Sequence, residues 1–329
     1  MIISRTPVRV SFCGGGTDTD WFSKAHTNGG MVTSLALAKY IHVTVNQRFD
    51  NRVRVSYSKL EIVDDFENLE HELVRESMRM TGVTSGIEIT TIADIPSRGT
   101  GLGSSSSVTV GLLNALHCFA GRSVSASQLA FEACQIEIDI LGQPIGRQDQ
   151  YAASFGGINT INFCQNGDVL VEPIEISENI RSRISEEFTL IFTGKSRSAS
   201  SVLSNSVSEG KSAIENLLRI REQADEASNY INSGDLSKLG ALLNEAWGMK
   251  RGISKSVSND FLDQMYERII STGATGAKLL GAGGGGFFLV HGDHTIRQKL
   301  ELEFSSDYRM IPLLIDNIGS SIIHNDSQR

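Results

Sequence analysis

The stretch GTGLGSSSSVTVGLLNAL, residues 99 to 116, constrains the chain more than any other. Glycine is the poorest ordinary helix former and serine prefers helix ends, so Gly99, Gly101 and Gly103 are suited to backbone reach, not packing. After them Val108, Leu112, Leu113, Leu116 and Phe119 form one apolar helical face, which Gly121 stops. Before them GIEITTIADI reads as a strand. A helix N-terminus carries unpaired N–H groups and a partial positive charge, so a glycine approach to it suits a polyphosphate. Serine hydroxyls add donors to phosphate or a ligand to Mg²⁺. A flexible loop closed by a serine cap fits the same stretch, and its surroundings must decide.

The surroundings describe an α/β chain. Four short runs before residue 60 (VRVSF, GMVTSLAL, YIHVTVNQRF and RVRVSYS) have strand composition. FENLEHELVRESMRMTG reads as a helix ending at Gly82, and a further helix begins at Ser125, whose partner Gln128 completes a capping box. Asn166-Gly167 sits between two β-rich runs as a hairpin turn. The second half opens on the strand FTLIFTG, passes through helical patterns near 207–232, 236–250 and 259–272, and closes on the strands GFFLV and RMIPLLID. At 329 residues two domains are expected, with the polar SENIRSRISEE as boundary, giving 1–180 and 181–329.

Several function classes are disfavoured. Thirty Lys and Arg against 38 Asp and Glu give a formal charge of −8, which opposes nucleic-acid binding. No apolar run approaches the roughly 18 residues needed to span a bilayer, and the N-terminus alternates like a strand instead of a signal peptide, so a cytoplasmic protein without membrane attachment is expected. Cys13, Cys118, Cys134 and Cys164 are scattered and read as reduced filler.

Two other glycine clusters compete with the first, CGGGTD at 13–18 and GAGGGG at 281–286. Gly281, Gly283 and Gly286 satisfy GxGxxG, but a strand follows them where a dinucleotide site needs a helix. Gly194-Lys195-Ser196 and Gly210-Lys211-Ser212 mimic the end of a Walker A motif without its upstream glycine.

Taken in order, TPVRVSFCGGGTD, PSRGTGLGSSSS and KLLGAGGGG resemble the three signature motifs of the GHMP small-molecule kinases over residues 5–286. The resemblance implies an N-terminal mixed α/β domain, a C-terminal ferredoxin-like domain, ATP with Mg²⁺, and an acceptor held between the domains. It implies that Gly99, Gly101, Leu102, Gly103, Ser104, Ser105 and Ser106 wrap the triphosphate, with Ser104 or Ser105 reaching the metal and Ser106 and Ser107 as first-turn helix residues. Glu137, seven residues before Pro144, matches the family's Mg²⁺ glutamate; Asp139 lies about 200° round an α-helix from a shared site.

GQPIGRQDQYAASFGG resembles the segment carrying the sugar kinases' catalytic aspartate, here Asp149, with Arg9 offsetting charge. An arginine inside a β run also needs an anionic partner on elementary grounds. GGGTD, with Gly15, Gly16, Thr17 and Asp18, is similar to members that phosphorylate the anomeric hydroxyl of a heptose phosphate, Asp18 meeting a sugar hydroxyl. The acceptor's own phosphate then needs cations, expected at Arg98, Arg147, Lys195 and Arg197, while Gly283 and Gly284 approach the ligands from the second domain. The alternatives are a free heptose or fucose as acceptor, and a sensor that binds nucleotide and sugar without catalysis. A monomer or homodimer is expected.

Overall fold

Val8, Val10 and Phe12 alternate with Arg9 and Ser11 along the first strand, yet both sets are buried. A strand covered on both faces must lie inside a layered domain. The computed structural model describes residues 1–96, 99–195, 211–254 and 256–326. The chain runs β1 (Ile2–Cys13), α1 (Asp20–Ser23), β2 (Gly30–Gln47), β3 (Val53–Ser56), β4 (Leu60–Val63), α2 (Glu72–Thr81), β5 (Ile87–Ala93), α3 (Ser104–Phe119), α4 (Ala126–Cys134), α5 (Gln148–Phe155), β6 (Ile158–Phe163), β7 (Val169–Pro173), α6 (Glu178–Glu187), β8 (Phe188–Phe192), α7 (Lys211–Ser233), α8 (Leu236–Arg251), α9 (Asp260–Ser271), β9 (Gly276–Leu279), β10 (Phe287–His291), α10 (His294–Phe304), β11 (Met310–Pro312) and β12 (Ser321–Asn325).

The first sheet has the order β12-β1-β2-β5-β3-β4, with β6 and β7 added beside β2. Its one parallel pair is β3 with β5. The two runs read separately as GMVTSLAL and YIHVTVNQRF are halves of the single strand β2, which pairs with β6 over residues 30–35 and with β5 over 41–47. Helices α3 and α5 pack on β1, and α7 packs on β1 and β2. Of the capping box expected at Ser125 the N-cap half is present, a hydrogen bond from the Gln128 amide, while the Gln128 side chain donates to Glu132 instead; Gly82 ends α2 in the left-handed region.

The second sheet, in the order β11-β8-β10-β9, is antiparallel throughout. With α7–α9 between β8 and β9 and α10 between β10 and β11, it is a ferredoxin-like βαββαβ unit of spatial order 4-1-3-2. SENIRSRISEE forms α6, leading directly into β8. The last strand departs from a division at residue 180, because β12 returns to the first sheet and pairs with β1. One apolar core joins both parts, with Val10 and Leu35 from the first sheet and Leu190, Leu239 and Leu289 from the second half. No described helix is long and apolar enough to cross a membrane.

Candidate active site

Gly99, Gly101 and Gly103 all have positive φ, at 68°, 75° and 73°, and no other residue type adopts a positive φ among the described residues. Thr100 and Leu102 lie between them, buried. Alternation of left-handed and ordinary backbone curls a loop into an anion-binding concavity. The loop delivers the chain to α3, whose N-cap is Gly103 with no side-chain hydrogen bond, so no capping side chain competes for the helix's first amides.

The four serines that follow divide. The Ser104 hydroxyl lies 3.1 Å from Thr100 Oγ1 and 3.4 Å from the Pro96 carbonyl, inside its own loop. Ser107 donates to the carbonyls of Pro7 (2.8 Å) and Gly103 (3.1 Å), fastening α3 to β1. Ser105 is exposed and donates to Glu137 Oε1 at 3.4 Å, and Ser106 also hydrogen-bonds Glu137. Of the expected metal trio, Ser105 and Glu137 come together; Ser104 is turned toward Thr100. Ser106, read as a first-turn residue, reaches the carboxyl as well.

Glu137 lies in a π-helical turn, Gln135–Ile140, that continues α4, and its carboxyl is buried while Asp139 is exposed. Thr109 donates to it at 3.2 Å, and Gln150 Nε2 makes a short hydrogen bond to its other oxygen. Burial pushes its pKa up to about 7 against those hydrogen bonds, and the nearby Asp149 pushes the same way. One buried carboxylate beside the exposed Ser105 hydroxyl is a hard-oxygen donor set that fits a divalent cation whose other ligands are phosphate oxygens and water. No cluster of three or more His, Cys, Asp or Glu able to hold a metal alone occurs among the described residues.

Asp149 is in the first turn of α5, where a helix N-terminus favours a carboxylate. Arg9 grips it, with Nε and Nη2 each 2.7 Å from Asp149 Oδ1, while Arg9 Nη1 makes a short hydrogen bond to the Gly101 carbonyl. The Arg9 amide donates to the Leu102 carbonyl at 2.9 Å. The anionic partner demanded by an arginine in a buried strand is therefore Asp149, and the same side chain holds the glycine loop. A Cβ on Gly103 would stand 3.1 Å from the Asp149 carboxyl, so loop and carboxylate are adjacent.

Other expected residues hold the frame. Asp18 is buried and accepts from the Gly16 amide (2.9 Å), the Gln148 amide (3.1 Å) and Gln148 Nε2 (3.1 Å), tying the first glycine loop to α5. Burial, and then the charge of Asp149, raise its pKa. Its oxygens are taken by the protein, whereas a sugar hydroxyl was expected there. Thr17 donates to the Gly14 and Met31 carbonyls, and Gly15 lies in ordinary contact range of Gln148. Gly16 faces Leu217 of α7, 3.2 Å from where a Cβ would stand.

Arg147, expected on an anion, pairs with Asp20 (3.1 Å), donates to the Gly167 carbonyl (2.7 Å) and Ser23 Oγ (3.3 Å), and lies over the Phe163 ring. Its charge is answered within the protein. Lys195 is exposed with its ammonium over Phe261, and Arg98 and Arg197 lie outside the described residues.

The third glycine cluster packs on protein backbone. A Cβ on Gly281 would collide with Gly101, one on Gly286 with the Thr100 carbonyl, and one on Gly283 with Val257; the Gly284 amide donates to the Val257 carbonyl at 2.9 Å. The two loops thus touch main chain to main chain, and the expected approach of Gly283 and Gly284 to ligands gives way to contact with Val257.

Two cations were not foreseen. Lys278 of β9 donates to the Ser11 and Phe12 carbonyls of β1, and Lys250 of α8 donates to the Leu279 and Gly281 carbonyls. In the sequence Lys250 is one of the basic residues usual in a last helical turn, and Lys278 one polar residue in a strand, so neither signals an interior position. Beside Ser105 a cavity opens between α3 and the sheet, lined by Tyr57, His71, Thr91, Ile92 and Val108.

Residues 68–157 match the GHMP kinases N terminal domain and residues 213–308 the GHMP kinases C terminal domain. The chain is 31% identical, over 91% of its own length and 91% of the relative's, to a D-glycero-alpha-D-manno-heptose 7-phosphate kinase of Campylobacter jejuni. It is similar in structure to a sugar kinase described as putative from Campylobacter jejuni (TM-score 0.78, 28% identity, 98% of each chain). It also shares the fold of a D-glycero-D-manno-heptose 1-phosphate kinase from Bacteroides thetaiotaomicron (TM-score 0.83, 23% identity, 99% of each chain). With both domains matched in order and a relative of this identity along nearly its whole length, the chain belongs to the GHMP kinases.

Proposed function

We propose that the protein transfers the γ-phosphoryl group of ATP to the anomeric hydroxyl of D-glycero-D-manno-heptose 7-phosphate, giving the 1,7-bisphosphate for nucleotide-activated heptose synthesis. The observation that carries the reading is the Asp149 carboxylate, gripped by Arg9 and seated against the glycine loop at the uncapped start of α3. Phosphoryl transfer requires this juxtaposition, because the group that orients the acceptor hydroxyl must stand beside the cradle of the donor phosphates. The named activity of the 31%-identical relative supports the choice of acceptor.

In this reading the amides of residues 101–106 hold the triphosphate, and the cavity beside Ser105 takes the nucleoside. Asp149 accepts the proton of the acceptor hydroxyl as the oxygen–phosphorus bond forms, and the donor's bond to phosphorus breaks to leave ADP. Arg9 holds Asp149 in place and offsets its charge. Glu137 and Ser105 are the residues that would hold Mg²⁺, which neutralises charge on the phosphates when bound. The assay is ADP release over a panel of phosphorylated and free heptoses, fucose and galactose, with ³¹P spectra locating the new ester. Turnover confined to free sugars would overturn the phosphosugar, and tight ATP binding without ADP release from any sugar would overturn catalysis.

A further inference from the structure

Of the four phosphate cations expected from the sequence, the two that are described are engaged elsewhere, Arg147 paired internally and Lys195 over Phe261. A different cation sits at the junction of the glycine loops. We infer that the ammonium of Lys250 is a phosphoryl-binding group of the cleft, acting with Arg9 on an anionic oxygen of a bound phosphate; this rests on the kinase reading above.

Lys250 lies in the last turn of α8, and its ammonium has two protein partners among the described residues, the backbone carbonyls of Leu279 and Gly281, with no carboxylate. A lysine so placed normally pairs with an acid. Here its charged neighbours are cations, Lys278 and Arg9, and burial together with their repulsion holds its pKa well below the usual lysine range.

Lys278 and Lys250 have different roles. Lys278 is buried with its ammonium closed between β9 and the Ser11 and Phe12 carbonyls, a fastening between the two halves. Lys250 is half-buried as a residue, and its neighbours Met249 and Ile253 pack with Phe22, Leu217 and Ile220, Leu217 lying against Gly16 of the first glycine loop. Its carbonyl partner Gly281 presses against Gly101, whose own carbonyl is held by Arg9. Ammonium and guanidinium thus each hold a carbonyl of one of two touching loops, near enough for the Arg9 charge to act on Lys250. Among the described residues the ion pair made by these three cations is that of Arg9 with Asp149, and neither Lys250 nor Lys278 has a carboxylate partner. A bound phosphoryl group supplies the missing negative charge.

Two phosphates could take that place, the transferred group of the nucleotide or the acceptor's own ester. The test compares wild type with Lys250→Met, both checked by circular dichroism and thermal melting. A charge-assisted hydrogen bond to a phosphoryl oxygen corresponds to about 10- to 100-fold in affinity. If the partner is the transferred phosphoryl, calorimetric affinity for a non-hydrolysable ATP analogue falls by that factor while affinity for ADP holds. If it is the acceptor's ester, KM for the phosphosugar rises by that factor while KM for the free sugar holds. Lys250→Arg restores most of either loss. A variant that melts earlier or turns over more slowly with both comparisons unchanged overturns the inference and leaves Lys250 as a loop fastening.

Should Lys250→Met not fold, acylation of wild-type lysines read by mass spectrometry replaces it. Lys250 is then protected by the ATP analogue or by the phosphosugar but not by ADP, and equal labelling in all states overturns the inference. If wild type phosphorylates no sugar, the kinase reading fails by itself, and the analogue-against-ADP comparison still reads Lys250.

Discussion

Replacing Glu137 by Gln is expected to stabilise the ligand-free protein while abolishing its use of Mg²⁺. The carboxyl is buried, and its pKa moves from 4.5 to about 7. A carboxyl whose folded pKa lies above its unfolded one favours folding when protonated, so the fold is weakened as pH rises from about 4.5 toward 7 and stays weakened above. At 1.36 kcal/mol per pH unit the penalty for ionised Glu137 reaches about 3 kcal/mol at pH 8 and is about 1 kcal/mol at pH 5. A glutamine keeps the shape and acceptor oxygen, and its N–H₂ can meet Gln150 Oε1, which is buried with no hydrogen-bond partner among the described residues. Urea unfolding of both proteins at pH 5 and pH 8, without nucleotide or metal, should show the variant gaining about 2 to 3 kcal/mol more at pH 8 than at pH 5. ADP release by the variant should fall to background at any Mg²⁺ concentration. A stability difference independent of pH would refute the buried-carboxyl argument, and full Mg²⁺-dependent turnover would remove Glu137 from the metal site.

Asp149→Asn should lower kcat by about 10²- to 10⁴-fold while the calorimetric affinity for ATP stays within a few-fold of wild type; unchanged turnover would remove Asp149 from the proton transfer. Arg147→Met should destabilise by about 1–2 kcal/mol, because the pairing with Asp20 and the bond to the Gly167 carbonyl are lost, with KM for the phosphosugar unchanged. A rise in that KM without loss of stability would return Arg147 to the acceptor site. Gly281→Ala places a Cβ against Gly101 at a φ of 72°, and at about 1–2 kcal/mol for the left-handed backbone alone it should lower the melting temperature. It should also raise KM for ATP, because the loops must part; steady-state kinetics and a melt check both.

The elements were legible where local chemistry decides them. Ser125 with Gln128 marks a helix start, Gly82 a stop and Asn166-Gly167 a hairpin, because caps and turns are settled within a few residues. β2 was read as two strands because the half-exposed Ala-Lys-Tyr at 38–40 interrupts its apolar alternation, and it is held together by different partners along one edge. The return of β12 to β1 was not legible, because nothing in Ser321–Asn325 says which sheet edge will accept it. In the site, the roles of Arg9, Asp149, Ser105 and Glu137 came from the resemblance to the family's motifs. Asp18 and Arg147 sit in the same motifs, and spacing alone does not distinguish a side chain facing a ligand from one facing a neighbouring loop.

The glycine clusters are the sharpest case. Read along the chain, each is a backbone free to approach a ligand. In space Gly101 meets Gly281, and Gly286 meets Thr100, so part of that freedom lets two loops from different sheets share one position. Gly103, at the start of α3 and beside Asp149, stands between the proposed phosphate cradle and the proposed catalytic carboxylate. The loops are then held by two charges, Arg9 on the Gly101 carbonyl and Lys250 on the Gly281 carbonyl. Main-chain contact without side chains packs little apolar surface, so these two cations must supply much of what keeps the loops in register. On the proposed reading, a phosphate bound by these two cations would meet donors already oriented, the preorganisation that phosphoryl transfer requires.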